Sequence, residues 1–400
     1  MTHGANLSSI RRQSLAILWL QAYRKAMAEV LFVSKPVAPP WNDSSKNLAR
    51  DIARHLQRYE PVLLGHRGQI NPIGRGRIEA VYPASSHGGF SPRARSNARV
   101  FRRLLLGRRL DVWHFFFAPN RRSSAAGRLA TTLRRAPSVH TVCSMPPDDA
   151  PLRNLVFADL TVTLSRASYG RFRQQGVADD ALRVIPPCVP FREPPTAAER
   201  TMHRQSLGLS EHAPIWIYPG DLEHGGGAEL AVRGFAAWNR PDALLVMACR
   251  PKTRRAPREQ ARLTALAKAW GIEGRVLWLG QTLRIERWLA ASDFVVMVNQ
   301  SPYAKMDYPL VALEAMALGR AVLVGQGTPC AELAEDAGAW AVPIDPDALA
   351  DTIERLSSDQ ERRQALERQA HDLAVSQFSP RKVAAQYELL YEEVRARHHW

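Results

Sequence analysis

Short apolar runs alternate with amphipathic helical stretches along almost the whole of this 400-residue sequence. The first pair shows the pattern: VLFVS at residues 30–34 is typical of a buried strand, and KNLARDIARHL at residues 46–56 has helical spacing. In that helix, Leu48, Ile52 and Leu56 fall on one face. Strands separated by helices pair in parallel, because a parallel pair needs a long crossover connection. The sequence therefore predicts an α/β protein with doubly wound parallel sheets.

A proline-rich segment divides this alternation in two. Residues 186–200, PPCVPFREPPTAAER, show no periodicity and are typical of an interdomain linker. We predict one Rossmann-like domain over residues 29–190 and a second over residues 191–378. A final helix over residues 379–400 is predicted to pack back on the first domain, and residues 1–28 are predicted to be an N-terminal extension.

The composition limits the partners without naming one. The formal net charge is +16 and the pI is about 10.3. Such a charge attracts anions, although a general bias toward arginine explains it equally well. The sequence contains no run of the roughly 20 apolar residues that a membrane-spanning helix needs, and its cysteines lack metal-type spacing. We therefore expect a reduced, cytoplasmic setting, with nucleic acid not expected as a partner.

Residues 303–322, YAKMDYPLVALEAMALGRAV, place a helix after a polar loop at the end of a predicted strand. Ligands of open α/β sheets bind outside the carboxyl ends of the strands, where helix N-termini favour phosphate. The crevice between the two domains is thus predicted to take a phosphorylated ligand. Glu314, about one turn into the helix, can accept hydrogen bonds from the two hydroxyls of a ribose. The alternative is a solvated glutamate favoured by the helix dipole.

The stretch PLVALEAMALGRAVLVG at residues 309–325 resembles the C-terminal signature of the family 4 glycosyltransferases, which have the GT-B fold. The resemblance extends to ADLTVTLS, LRVIPPCVP and YPGDLEHGGG, and covers nearly the whole chain after Val30. It implies two Rossmann-like domains facing across a cleft and a retaining transfer of sugar from a nucleotide-sugar. The donor would lie on the C-terminal domain, with Glu314 on its ribose, and the acceptor would lie on the N-terminal domain.

The chain departs from that signature where the family contacts the donor sugar. The signature has a first glutamate eight positions before the second, and here that position is Met306. A methionine side chain cannot make this contact, so neighbouring side chains or backbone N–H groups would have to replace it. Asp307 is a candidate catalytic residue. The candidate donor contacts in this segment are Lys305, Met306, Tyr308, Pro309 and Leu310.

A second departure concerns the donor phosphates. The resembled motif has an arginine and a lysine where this chain has Asp221 and Gly226. Arg250 and Lys252 follow the next predicted strand and are expected to supply the missing charge, unless they are a solvated basic loop. The glycines of this motif would allow close backbone approach to the ligand. The candidate donor contacts in this motif are Gly220, Gly225 and Gly226.

In the N-terminal domain, one polar loop and one histidine are candidates. The loop after the first strand contains Asn42, Asp43, Ser44 and Ser45, which are expected either to meet the acceptor and donor phosphate or to cap the following helix. His114 is a candidate catalytic residue at a strand end, with a packed histidine as the alternative. The resembled family commonly has its histidine two residues later, at Phe116 here.

The sequence predicts neither a metal nor a cofactor beyond the donor itself. The DPD at residues 345–347 precedes a helix, so we interpret it as a turn and helix cap. The partners are predicted to be a nucleotide-sugar and a hydroxyl acceptor, lipid-linked or glycan. The arginine-rich amphipathic segment at residues 99–109 also predicts an anionic membrane surface on the inner face as a partner. The alternative is that its apolar residues pack on the sheet and its arginines are solvated.

The main alternative is a catalytically degenerate GT-B protein that binds nucleotide-sugar or glycan without transfer. The missing glutamate and the missing phosphate cations favour it, whereas Glu314, Arg250 and Lys252 oppose it. An epimerase or phosphorylase of the same fold is a further alternative, but no lysine stands in a helix context that suits pyridoxal phosphate.

Overall fold

The computed structural model describes residues 27–69, 73–83, 94–147, 149–282, 284–301 and 305–398. The predicted N-terminal extension thus lies almost entirely outside the described residues. The strands of the N-terminal domain are β1 (Ala28–Val33), β2 (Tyr59–His66), β3 (Arg77–Tyr82), β4 (Val112–Phe117), β5 (Ser138–Val142), β6 (Leu160–Thr163) and β7 (Leu182–Val184). Its helices are α1 (Ser44–His55), α2 (Ala94–Leu106), α3 (Arg121–Arg134), α4 (Leu152–Leu155) and α5 (Arg166–Gln174), with a 3₁₀ turn at Asp179–Ala181.

The C-terminal domain begins at α6 (Ala197–Ser206). Its strands are β8 (Ile215–Tyr218), β9 (Leu244–Met247), β10 (Val276–Trp278), β11 (Phe294–Met297), β12 (Ala321–Gly325) and β13 (Trp340–Val342). The remaining helices are α7 (Gly227–Trp238), α8 (Ala256–Ala269), α9 (Ile285–Ala291), α10 (Leu310–Ala317), α11 (Glu332–Glu335), α12 (Pro346–Ser358), α13 (Gln360–Gln377) and α14 (Pro380–His398), with 3₁₀ turns at Glu273–Arg275 and Pro329–Ala331.

Each domain contains one parallel sheet. The strand order is β3-β2-β1-β4-β5-β6-β7 in the first sheet and β10-β9-β8-β11-β12-β13 in the second, and every pairing among these strands is parallel. In each sheet the strand order reverses beside the first strand, between β1 and β4 and between β8 and β11. A crevice opens at such a switch point, so the topology places two ligand crevices at the carboxyl ends of the strands. The predicted doubly wound α/β fold is confirmed.

Helix α14 follows the C-terminal domain but packs on the N-terminal one. Tyr387 and Tyr391 are fully buried, and Glu388 accepts hydrogen bonds from the backbone N–H groups of Gln57 (2.7 Å) and Arg58 (2.6 Å). These contacts join α14 to the turn that follows α1. The chain therefore crosses between the domains twice, in the linker before α6 and again before α14.

Among the helices that the structure describes, none combines the length and the apolar character needed to cross a bilayer. All four cysteines are buried and unbridged.

Candidate functional site

A cavity of about 1230 Å³ lies between the domains, at the carboxyl ends of both sheets. Its walls are the loops that follow β1, β4 and β5 in one domain and β8, β9, β10 and β11 in the other, together with the first turn of α10. Of the residues predicted from the sequence, the cavity is lined by Asn42, Asp43, Ser44, Ser45, Gly220, Arg250, Lys252, Lys305, Met306, Pro309, Leu310 and Glu314.

Glu314 presents a carboxylate to this cavity from the middle of α10. The side chain is partly buried, and among the described residues it has no hydrogen-bond or ion-pair partner. Burial raises the pKa of Glu314 to about 7, with Asp51 adding to the shift while Arg192 and Arg50 oppose it. An unpartnered carboxylate in such a setting can accept hydrogen bonds from ligand hydroxyls. This is the geometry that the ribose hypothesis requires.

Four charged side chains on the same wall form the Asp221 cluster, which consists of Asp221, Arg250, Lys252 and Lys305. The Asp221 carboxylate is buried and lies 2.6 Å from Lys252 Nζ and 3.7 Å from Arg250 Nε. Lys305 Nζ also contacts it. Burial alone would raise the pKa of Asp221, but Lys305 and Lys252 together lower it. The basic side chains therefore converge on the cavity, as predicted for Arg250 and Lys252, but they enclose an acid.

The glycine prediction is partly wrong. Gly220 lines the cavity, whereas Gly225 and Gly226 do not. Both of these have positive φ, 82° and 67°, and the loop after β11 covers them: Gln300 N–H donates to the Gly225 carbonyl at 2.6 Å. A Cβ on Gly226 would lie 2.4 Å from Gln300 Oε1. The glycines thus make room for a neighbouring loop rather than for a ligand.

The segment from Lys305 to Tyr308 points in two directions. Lys305 and Met306 line the cavity, but Asp307 and Tyr308 do not. Asp307 instead accepts a 2.7 Å hydrogen bond from Ser165 Oγ, and Tyr308 OH donates to Glu332 at 2.5 Å. The prediction of Asp307 as a catalytic residue is therefore corrected, as is that of Tyr308 as a donor contact, because both side chains point away from the cavity.

Those two side chains belong to a contact between the domains at the start of α5. Ser165 caps this helix of the N-terminal domain. Glu332, at the start of α11 in the C-terminal domain, accepts the backbone N–H groups of Arg166 (3.0 Å) and Ala167 (2.6 Å). Burial raises the pKa of Asp307, with the Ser168 and Ser165 hydroxyls opposing the shift. We name Ser165, Asp307, Tyr308 and Glu332 the interdomain latch.

The loop before α1 caps that helix and also lines the cavity. Asp43 caps α1 by accepting the Lys46 N–H at 3.2 Å, and it pairs with Lys35 Nζ at 2.6 Å. Burial alone would raise its pKa, but Lys35, Ser45 and the Lys46 N–H together lower the pKa to about 2. The carboxylate therefore stays ionised at the mouth of the cavity, with a lysine beside it.

His114 is a packed histidine, and its prediction as a catalytic residue is corrected. It lies in the interior of β4, and its side chain is fully buried. Its Nδ1 lies 2.7 Å from Tyr391 OH and its Nε2 lies 2.8 Å from Thr141 Oγ1, so both ring nitrogens are occupied. Burial lowers its pKa well below the usual value. Phe116, two residues nearer the strand end, lines the cavity instead.

Comparison with known proteins finds a family match in the second domain. Residues 199–372 match the model of the family described as Glycosyl transferases group 1. The match lies within the C-terminal domain.

Two relatives of known activity match part of the chain. N-acetyl-alpha-D-glucosaminyl L-malate synthase of Bacillus anthracis is 29% identical over 201 residues, which are 49% of this chain and 50% of that protein. D-inositol 3-phosphate glycosyltransferase of Xylanimonas cellulosilytica is 28% identical over 271 residues, which are 61% of this chain and 63% of that protein. The chain therefore spans between half and two thirds of these relatives.

Solved structures match the fold over more of the chain. HepE of Anabaena, solved with UDP-glucose, superposes with a TM-score of 0.71 at 19% identity over 91% of this chain and 99% of that one. Sucrose-phosphate synthase of Thermosynechococcus elongatus superposes with a TM-score of 0.73 at 17% identity over 92% of this chain and 100% of that one. These likenesses confirm the predicted GT-B arrangement of two Rossmann-like domains.

Within the C-terminal domain, the structure confirms the interpretation of the DPD segment at residues 345–347. Asp345 caps α12 by accepting the N–H groups of Asp347 (3.0 Å) and Ala348 (2.9 Å). The segment is a helix cap, as its position before a helix indicated.

Sequence reasoning missed two features of the cavity, both on the wall opposite the C-terminal domain. Lys35 lines it directly after β1, and a lysine at the end of a predicted strand was the available signal. The larger omission is an apolar wall between α2 and β4, for which the helical spacing of the α2 residues gave only a packing signal. The wall is lined by Val100, Phe101, Leu104, Phe115 and Phe117.

Proposed function

We propose that the chain is a retaining glycosyltransferase that moves a sugar from a nucleotide-sugar to a hydroxyl acceptor without a metal ion. The observation that carries the proposal is the pairing, in one interdomain cavity, of an unpartnered carboxylate, Glu314, with the basic Asp221 cluster. A carboxylate suits the ribose hydroxyls, and the basic side chains suit the diphosphate.

The groups in this cavity would have different roles in the transfer. The basic side chains of the Asp221 cluster would neutralise the charge that develops on the leaving diphosphate. Among the described residues, His114 and Asp307 are withdrawn from the cavity by their own hydrogen bonds. We therefore assign proton removal from the acceptor hydroxyl to the leaving diphosphate itself, which fits transfer with retention.

The test is the release of nucleoside diphosphate by the purified protein from a panel of UDP-, GDP-, ADP- and dTDP-sugars. UDP-glucose is the first donor to try, because HepE was solved with it. Release that persists in EDTA and falls at least tenfold in Glu314→Gln supports the proposal. Exposed Glu361→Gln, on α13, is the matched control. The anomeric configuration of the product, measured by NMR, tests retention.

A binding protein without transfer activity is the second candidate. It is favoured by Met306 and Asp221, which stand where the resembled motif has a glutamate and an arginine. Saturable nucleotide-sugar binding by calorimetry, with no release from any donor over the panel, would decide for this candidate.

We further propose a lipid-linked acceptor at the cytoplasmic face of a membrane. The apolar wall of the cavity, from Val100 to Phe117, offers a lining for an apolar group. On the outside of the same domain, Leu106 is 78% exposed, Leu129 51% and Leu133 61%. Exposed arginines surround these leucines on α2 and α3. Leucines among arginines suit an interface with anionic lipid headgroups.

Co-sedimentation with vesicles tests the membrane proposal. We expect binding to vesicles with anionic lipid, weak binding to neutral ones, and release as salt rises. A Leu129→Ser/Leu133→Ser variant should bind weakly, whereas Leu389→Ser, which changes a 60% exposed leucine on α14, should not. Equal recovery in the supernatant with both vesicle types at low salt would overturn it.

A further inference from the structure

Asp221 occupies the position where the resembled motif has a phosphate-binding arginine, and its charge is opposite. Yet its carboxylate is the point on which Arg250, Lys252 and Lys305 converge from two other loops. We infer that Asp221 is a positioning residue, which holds these basic side chains together as the binding site for the donor diphosphate. This inference rests on the proposed function and adds to it the residue that assembles the phosphate site.

The loop after β8 also fixes the backbone of the loop after β9. Glu223 Oε1 accepts the N–H groups of Lys252 (3.2 Å) and Thr253 (2.8 Å) and the Thr253 hydroxyl (3.1 Å). Asp221 and Arg250 themselves form an isolated parallel bridge. One loop thus supplies two acids: Glu223 anchors the backbone of its neighbour, and Asp221 anchors the side chains.

Lys305 reaches the cluster from the loop after β11. Asn299 and Gln300 of that loop pack over Gly225 and Gly226, where side chains would collide, and Lys305 Cε would lie 3.4 Å from a Cβ on Gly225. The glycines of the β8 loop therefore admit the loop that carries the third basic side chain. The β8 loop has no basic residue at the two motif positions, but its glycines let a neighbouring loop bring Lys305 into the cluster.

The charge of the cluster fits a diphosphate. Three basic groups around one carboxylate leave a net charge of two positive units, which matches the two negative charges of a diphosphate diester. The side chains are 24% (Arg250), 18% (Lys252) and 13% (Lys305) exposed, so solvent screens them little. Without the carboxylate, these like charges would repel one another and separate.

Calorimetric binding of inorganic pyrophosphate is the test, because this probe carries the diphosphate charge without base or sugar. Lys252→Gln and Lys305→Gln should each weaken binding about tenfold or more, as expected for the loss of a charge-assisted hydrogen bond. Lys268→Gln, an exposed lysine on α8, is the matched control and should leave binding unchanged. Losses in the control equal to those in the two variants, or no loss in any of them, would overturn the diphosphate site.

Asp221→Asn separates positioning from simple attraction. Removing the acid should weaken pyrophosphate binding about three- to tenfold, because the basic side chains are no longer held together. Simple attraction without positioning would instead tighten binding, because a repelling charge is lost. In the same variant, the kcat for donor cleavage should fall about tenfold or more, because the lysines are no longer held in place, and Asp221→Glu should restore most of it. Tightened or unchanged pyrophosphate binding in a folded Asp221→Asn protein overturns the inference.

The two proposals fail in different ways. If no sugar nucleotide is cleaved, the proposed transfer is wrong, and the pyrophosphate titrations still decide the role of the cluster. If donors are cleaved but Lys252→Gln and Lys305→Gln bind pyrophosphate normally, the cluster inference is wrong and the transfer stands. Should Asp221→Asn fail to fold, the Asp221→Glu protein replaces it. Pyrophosphate binding that is weaker in Asp221→Glu than in both lysine variants would then overturn the inference.

Discussion

Single residues in this protein separate into those with free polar atoms and those whose polar atoms are already bonded. Glu314 lines the cavity and carries a pKa raised to about 7 by burial, which is typical of a group poised for a ligand. Burial also shifts the pKa of His114, downward, but both of its ring nitrogens are engaged. Perturbation alone therefore does not mark a functional residue, and the hydrogen-bond partners decide.

The raised pKa of Glu314 predicts a pH dependence of nucleoside binding. The carboxylate form accepts the ribose hydroxyls, so affinity is full above the pKa and is lost as the pH falls through about 7. Between pH 8 and pH 6 we expect binding to weaken about tenfold, the change in the ionised fraction. Calorimetry with uridine, adenosine and guanosine measures this without a titrating phosphate.

The matched variant is Glu314→Gln, in which binding should be weak and independent of pH. A wild-type profile that is flat between pH 6 and pH 8 would contradict the role of the carboxylate. So would a profile of the same shape in the glutamine variant.

Replacing His114 should affect stability rather than chemistry. In His114→Phe, the hydroxyls of Tyr391 and Thr141 lose a buried partner, and we expect the free energy of unfolding to fall by about 1–3 kcal/mol. Adding Tyr391→Phe should recover part of that loss, since removing both partners costs less than removing one. Urea denaturation measures the stability, and donor cleavage by the folded variant should stay within about threefold of wild type. A much larger loss of cleavage in a stable protein would restore His114 as a functional residue.

At the scale of elements, the sequence predicted the sheets better than the last helices. Alternation of apolar runs and helical stretches was enough to predict both sheets, because buried parallel strands are almost continuously apolar. Helix α13 was missed. It buries only Leu366, Ala370 and Ala374 among its residues, and two alanines give little hydrophobic signal. The Asp221 cluster was partly predicted, because the sequence places Arg250 and Lys252 directly after a predicted strand. The contact of Lys305 with Asp221 could not be predicted, because it depends on how two loops pack against each other.

The docking of α14 depends on one buried carboxylate, which gives a prediction at this scale. Glu388→Ala would leave the Gln57 and Arg58 N–H groups without their acceptor, so we expect the free energy of unfolding to fall by about 1–3 kcal/mol. The control is Glu392→Ala on the same helix, whose side chain is 48% exposed where it pairs with Arg58. An exposed pair of this kind contributes about 0–1 kcal/mol. Equal losses in urea denaturation for the two variants would argue against a special role for Glu388.

Across the whole molecule, the segment at residues 305–308 connects the cavity wall with the contact between domains. Lys305 and Met306 line the cavity, whereas the next two residues belong to the interdomain latch. A change at the cavity wall is thus two residues away from a contact between the domains. Sequence reasoning found this segment but assigned all of it to the functional site, with Asp307 as a catalytic residue and the others as donor contacts. The alternating directions of these side chains are set by tertiary packing, which the sequence pattern does not give.

Weakening the interdomain latch should favour arrangements in which the two domains lie farther apart. In Glu332→Ala, the Arg166 and Ala167 N–H groups and Tyr308 OH lose their shared acceptor. Loss of one charge-assisted bond of about 1.5–3 kcal/mol would shift the balance toward open forms by at least about tenfold. Small-angle scattering should then give a larger radius of gyration than for wild type.

The latch control is Glu335→Ala, which removes a 68% exposed partner of Arg166 from the same helix. Its radius of gyration should match that of wild type. An unchanged radius in Glu332→Ala would mean that other contacts hold the domains together.

The path of α14 has a consequence for how the chain is made. Its tyrosines complete the packing around His114 and Thr141 in the N-terminal domain, yet the ribosome adds them only after the whole C-terminal domain. Domains otherwise tend to fold in the order of synthesis. We therefore expect the face of β4 and β5 to stay uncovered while the second domain is translated. We also expect chaperones to bind this uncovered face, and a ribosome that stalls before α14 to leave behind a nascent chain prone to aggregate.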